Sequence, residues 1–226
     1  MKWMVILIAA AATIGAAPVE PNWTNTVTQT PTGAYVLGNV KARVRFVEYL
    51  SFTCSHCAHF TNEAAVPIKR DYVSTGTVAV EIRHAVRDQF DFTAALLARC
   101  GGPTKFFGNT EAIMARQDVW LADAQVYATR DAEKNAKLPI ETQLKIIAQA
   151  TGLAAIVKAR GVTQPQINAC LSNKAMHNTV LTMTKEAFEI RKIQGTPHFL
   201  INGKTAPYSD SWSGMEPNLR AAITAK

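Results

Sequence analysis

From Val44 to Leu50 the chain is largely apolar, β-branched or aromatic, with Glu48 as the one acidic interruption. A run of that length ending at Ser51 predicts a buried strand. The next segment, Cys57 to about Ser74, has helical composition and closes at Gly76, and Pro67 inside it is expected to kink the helix. Val78, Val80 and Ile82 then alternate with Ala79, Glu81 and Arg83 up to His84, the period of a half-buried strand. Between about Val86 and Asn173 the pattern changes to helices punctuated by Gly and Pro: 92–100, 104–116, 139–150 and 163–171. Thr163 followed by Gln166 has the form of a capping box. A long helix is expected over 174–193, broken by Gly195-Thr196-Pro197, and His198 to Ile201 reads as a strand turning at Asn202-Gly203 into a second short one. Residues 213–225 complete the pattern with a last helix, while residues 18–33, rich in Pro, Thr and Asn, read as an irregular lead-in.

Strands split by a helical block, with two cysteines before the first helix, imply an α/β layer architecture carrying an all-helical insertion. Its parts are 34–85, the insertion 86–173, and 174–226. A chain of 226 residues, 48% apolar, is long enough to bury such a core. Met1 to Ala17 has one charge, Lys2, followed by an uncharged stretch from Trp3 to Ile14 and then small residues, so it reads as a secretory signal peptide cut after Ala17. The uncharged stretch is shorter than the roughly 20 apolar residues that span a bilayer, so no stable transmembrane helix is expected. The net charge of +7 is spread over scattered Lys and Arg, with no basic block interleaved with aromatics, which argues against nucleic-acid binding. Export makes disulfides permissible for the four cysteines.

Cys54 and Cys57 stand two residues apart at the start of a predicted helix. Helix-start N–H groups and the helix dipole favour a thiolate there, as does a cationic neighbour such as His56. Stabilising the thiolate stabilises the dithiol form and makes the disulfide more oxidising. Cys54 is then the nucleophile, Cys57 its resolving partner and His56 a local tuner. A C-x-x-C pair is also half of many zinc sites, but no second pair completes a ligand set, and His59 is the one nearby addition. Covalent haem attachment would need His where Ala58 stands. A purely structural disulfide is the remaining alternative, although so short a loop gains little from crosslinking.

The segment Val47-Glu48-Tyr49-Leu50-Ser51-Phe52-Thr53-Cys54-Ser55-His56-Cys57-Ala58-His59-Phe60 resembles the active-site segment of the DsbA-like thioredoxin-fold family, and 194–203, Gln-Gly-Thr-Pro-His-Phe-Leu-Ile-Asn-Gly, resembles its cis-proline loop and hairpin. The resemblance covers roughly residues 33–226. It implies a thioredoxin fold with a helical insertion, a cis Pro197, and Thr196 lying against the sulfurs to offer backbone hydrogen bonds to a substrate peptide. It also implies that Glu48 is an acidic group beneath the active site, the alternative being a partly exposed strand-end carboxylate. Ser55 departs from the commonest DsbA pattern, where proline is usual, and Thr before the cis-proline also occurs in disulfide isomerases. Cys100 and Cys170, both in the helical block, are expected to form a structural disulfide, as in some branches of the family; two free buried thiols are the alternative.

The function implied is a monomeric periplasmic thiol:disulfide oxidase acting on reduced or unfolded exported proteins, with no cofactor beyond its own disulfide and no metal, reoxidised by a DsbB-like membrane partner. An isomerase or reductase on the same fold is the nearest rival, and a metal-binding or substrate-holding module the more distant one. His84 and His177 read as ordinary surface or helix residues; His59 and His198 either line the groove or pack beside it; Trp120, Trp212 and Phe106-Phe107 read as core contacts.

Overall fold

The computed structural model describes residues 21–225, so the expected signal segment lies outside them. Six strands form one mixed sheet: β1 (Val27–Gln29), β2 (Tyr35–Leu37), β3 (Val44–Leu50), β4 (Val78–His84), β5 (His198–Ile201) and β6 (Lys204–Thr205), in the order β1-β2-β4-β3-β5-β6. β3 and β4 run parallel with Val44 opposite Val78 and Leu50 opposite His84, and β5 lies antiparallel on β3's other edge with Glu48 opposite Phe199. β3 is central, so both of its faces are buried, which explains its near-continuous apolar composition. Phe46, Leu50 and Phe199 join the larger core, whereas Val47, Tyr49 and Leu200 face the opposite side with Ala85, Ala187 and Ile193.

Helix α1 (Ser55–Pro67) follows β3, and Cys54 is its N-cap. Regular α-helical bonding stops at Pro67, and a π-type turn spans Ile68–Val73, consistent with a ring that has no N–H to give. The insertion comprises α2 (Gln89–Arg99), α3 (Pro103–Met114), α4 (Gln117–Arg130), α5 (Ala132–Asn135), α6 (Ile140–Ala150), α7 (Leu153–Ala159) and α8 (Gln164–Leu171). α2 is its axis, with Thr93 to Arg99 all buried. Thr163 and Gln166 make the reciprocal capping box at the start of α8. Helix α9 (Lys174–Lys185) continues into a π-type turn at Glu186–Ile190, and α10 (Trp212–Thr224) closes the chain.

Several expectations need correcting. The lead-in is not wholly irregular: it holds a 3₁₀ turn at Trp23–Asn25 and β1, whose register pairs Val27 with Leu37. Three-residue strands at a sheet edge are too short to show a period. Helices α4, α5 and α7 were not anticipated. His84 is neither a surface nor a helix residue: it is fully buried at the end of β4, its ring 5.9 Å from Phe52 and 5.7 Å from Phe106 between centroids, whereas His177 is a helix residue as expected, on the buried face of α9. Burial, with Arg99 nearby, holds the His84 imidazole well below the usual histidine range.

Candidate active site

The turn after β3 places Ser51, Phe52 and Thr53 so that Cys54 enters α1 with extended backbone angles. Both sulfurs are unbridged; Cys54 is 4% exposed and Cys57 wholly buried. From the far end of the sequence, the cis Thr196-Pro197 bond presents Thr196 to them: its carbonyl oxygen lies 3.1 Å from Cys54 Sγ, within reach of the thiol proton. The structure thus brings Cys54, Cys57, Thr196 and Pro197 together from two segments 142 residues apart.

Environment separates the two sulfurs. Cys54 is pulled down to about 5, first by the hydrogen bond from Cys57 and then by Thr196 and the positive charge of Arg87, against the opposing effect of burial. Burial, the hydrogen bond to Cys54 and the nearby Glu48 charge push Cys57 well above the ordinary thiol value. At neutral pH the pair therefore holds one negative charge, on the outer sulfur at the helix N-terminus.

Glu48 is 5% exposed in the middle of β3, so the reading of a partly exposed strand-end carboxylate does not hold. It faces the α1 side of the sheet, into a cavity of about 50 Å³ that Phe46, Phe60, Ile82 and Thr110 also line. Burial and the Cys54 charge raise its carboxyl to about 8, so it keeps its proton at neutral pH. His56 is exposed and reaches outward: its Nδ1 lies 2.6 Å from Asp210 Oδ2, which holds that carboxyl below the usual range. A protonated His56 therefore shares its charge with Asp210 rather than giving it wholly to Cys54.

The reactive turn is gripped by residues that sequence reasoning missed. Asp91, buried in α2, accepts from Ser51 Oγ at 2.5 Å, Phe52 N–H at 2.7 Å and Arg87 N–H at 3.0 Å. Arg87 donates in turn to Ser51 Oγ at 2.9 Å and Thr53 Oγ1 at 3.1 Å. Gln117, first residue of α4, donates to the carbonyls of Phe52 and Cys54. Asp88 and Asp91 could have been suspected only from the N-cap pattern before α2, which Asp88 fulfils by accepting from Phe90 and Asp91 N–H.

Cys100 and Cys170 sit away from this site, joined by a disulfide that ties the end of α2 to α8 with 5.8 Å between Cα atoms. Among the described residues no cluster of three or more His, Cys, Asp or Glu could hold a metal. No helix of the described residues is long and apolar enough to cross a membrane.

A thioredoxin family model matches residues 29–220. A relative in Rickettsia conorii, named as a candidate protein-disulfide oxidoreductase, is 30% identical over 176 residues, which cover 77% of this chain and 55% of that protein. The Rickettsia typhi counterpart matches at the same identity over 57% of its length, so the chain spans little more than half of these curated relatives. Among solved structures, a protein-disulfide isomerase from Novosphingobium aromaticivorans superposes with a TM-score of 0.76 at 31% identity, covering 85% of this chain and 98% of that one. The α-DsbA1 of Wolbachia pipientis shares the fold at a TM-score of 0.66 and 21% identity, covering 83% and 89%. With Cys54 capping the helix after a central strand, a cis-proline facing it and helices inserted between, this chain belongs to the thioredoxin family and shares the fold of the DsbA-like structures.

Proposed function

We propose that the chain is an exported thiol:disulfide oxidoreductase working chiefly as a dithiol oxidase, monomeric and in the periplasm, with Cys54 and Cys57 as its redox centre. One observation carries the direction: Cys54 is an N-cap sulfur held down to about 5 while Cys57 is buried and held high. A thiolate stabilised in the reduced protein makes the disulfide form a better oxidant.

In the oxidised enzyme a substrate thiolate attacks Cys54 Sγ. The Cys54–Cys57 bond breaks, a mixed disulfide forms, and Cys57 leaves as a thiolate that its buried setting obliges to take a proton; the protonated Glu48 beneath it is the donor. A second substrate thiol, losing its proton to solvent, then attacks the substrate sulfur of the mixed disulfide and releases Cys54 as the stabilised thiolate. Two electrons pass from the substrate dithiol to the enzyme, which needs no other cofactor in this half-reaction. A membrane partner of the DsbB kind would restore the disulfide. Thr196 and Pro197 hold the substrate backbone beside Cys54, and His56 tunes the local charge.

Disulfide isomerisation is the second reading, favoured by the name of the Novosphingobium neighbour, which the chain covers over nearly its full length. The deciding experiment is the reduction potential against glutathione, combined with refolding of a reduced and of a scrambled substrate. The oxidase reading expects a potential well above that of thioredoxin and acceleration of the reduced substrate. Rescue of the scrambled substrate alone would establish the isomerase.

A further inference from the structure

Beside the cis-proline loop lies an open groove of about 700 Å³ bounded by the chain from Arg191 to His198, Thr205 of β6 and Tyr208. The short separation of Cys54 Sγ from the Thr196 carbonyl places the reacting sulfur at its edge. The groove's charge is one-sided. Arg191 and Lys192 line it, and among the described residues no carboxylate does.

The nearest acidic groups are already engaged. Glu186 receives Tyr49 OH at 2.8 Å and Arg191 Nε at 2.8 Å, with Arg83 Nη1 at 3.3 Å. Glu189 lies 3.7 Å from Lys185, and Asp210 is turned to His56. His198, also on the groove wall, is held below the usual histidine range by burial and by Arg191, so it adds an aromatic face rather than a charge at neutral pH. Lys192 has a φ of 54°, a conformation seldom adopted by residues with a Cβ, and the Gln194 amide braces it by donating to the Lys192 carbonyl at 2.8 Å. A lysine thus stands where glycine would be easier.

We infer that this groove selects, among dithiol substrates, polypeptides whose reactive cysteine is flanked by acidic residues, with Lys192 supplying the uncompensated charge, Arg191, shared with Glu186, adding to it, and Tyr208, exposed at the rim, an aromatic surface for the backbone. The inference rests on the thiol-exchange function proposed above. A field of this kind acts mainly on encounter and orientation, and it fades as salt shortens the Debye length to about 10 Å at 0.1 M and below.

The test uses the oxidised protein and three synthetic dithiol peptides identical except for Asp, Ser or Lys beside the cysteines. Each rate of peptide oxidation is divided by that peptide's rate with 2-hydroxyethyl disulfide, which removes the effect of flanking charge on the peptide's own thiols. The expected order is Asp over Ser over Lys, with a spread on the order of 10-fold at low salt that contracts at high salt. The variant Lys192→Glu should level or reverse the order. Equal normalised rates for the three peptides, or a spread insensitive to both salt and charge reversal, would overturn the inference. Failure of every peptide to react would instead overturn the thiol-exchange reading.

Discussion

The side-chain amide of Gln117 donates to the backbone carbonyl of Cys54 at 2.9 Å and to that of Phe52 at 2.7 Å. A single residue of the helical insertion therefore fixes the backbone on both sides of Thr53. Gln117→Ala leaves both carbonyls without this donor in a buried setting, at a cost of about 1–3 kcal/mol. The expected result is a lower Tm together with a Cys54 thiolate titrating at higher pH. An unchanged titration alongside a lowered Tm would reduce Gln117 to a stabilising contact.

Thiolate absorbance of the reduced protein should titrate with a midpoint near 5, and the signal should disappear in Cys54→Ser. Because the folded pKa lies below the unfolded value, the thiolate contributes stability that is full above about 9 and lost as pH falls through 5. The reduced form should accordingly gain stability relative to the oxidised form as pH rises from 5, by at most roughly 2 kcal/mol between pH 5 and pH 7. Paired denaturation curves at pH 5 and pH 7 check this; a difference independent of pH would contradict it.

Glu48 works in the opposite sense. Its folded pKa of about 8 exceeds the ordinary 4.5, so the native state binds this proton more tightly and stability falls as pH rises from 4.5 towards 8, then levels. Glu48→Gln keeps the shape and removes the titration. The variant should be more stable than the parent at pH 8 and nearly equal at pH 4, while its mixed disulfide forms more slowly for want of a proton donor to Cys57. Equal pH profiles for the two proteins would show that Glu48 is ionised in the fold.

Replacing Cys100 and Cys170 together by Ala should lower stability by about 4 kcal/mol, the chain-entropy value for a loop of this size, with native-like exchange activity in whatever fraction remains folded. Peptide mapping without reduction identifies the bridge, and chemical denaturation of the double variant measures its contribution. A loss below about 1 kcal/mol would mean that the unfolded insertion is already compact.

Strand β3, the position of Cys54 at a helix start and the loop before Pro197 were legible because each has a local signature: a run of apolar residues, a cysteine spacing, a helix broken by Gly-Thr-Pro. Glu48 was visible as a residue, but its burial comes from strands and helices that pack around it. Helix α4 was missed although Trp120, Ala124 and Tyr127 form a buried stripe at three- and four-residue spacing; charged neighbours dilute it and no N-cap side chain announces it. Gln117 and Asp91 were illegible for a different reason. A lone polar residue becomes a clamp only once the fold carries it to an active-site turn, and its partners are backbone atoms that no side-chain pattern records.

Two of the contacts that hold Cys54 in place span 63 residues to Gln117 and 142 to Thr196. On a chain made from its N-terminus, the two cysteines emerge well before either partner. Until the last quarter arrives Cys54 lacks the Thr196 contact and has only its nearer influences, Cys57 first among them. The full setting of Cys54 is thus a property of the finished chain, completed only when the final hairpin brings the cis-proline loop beside it.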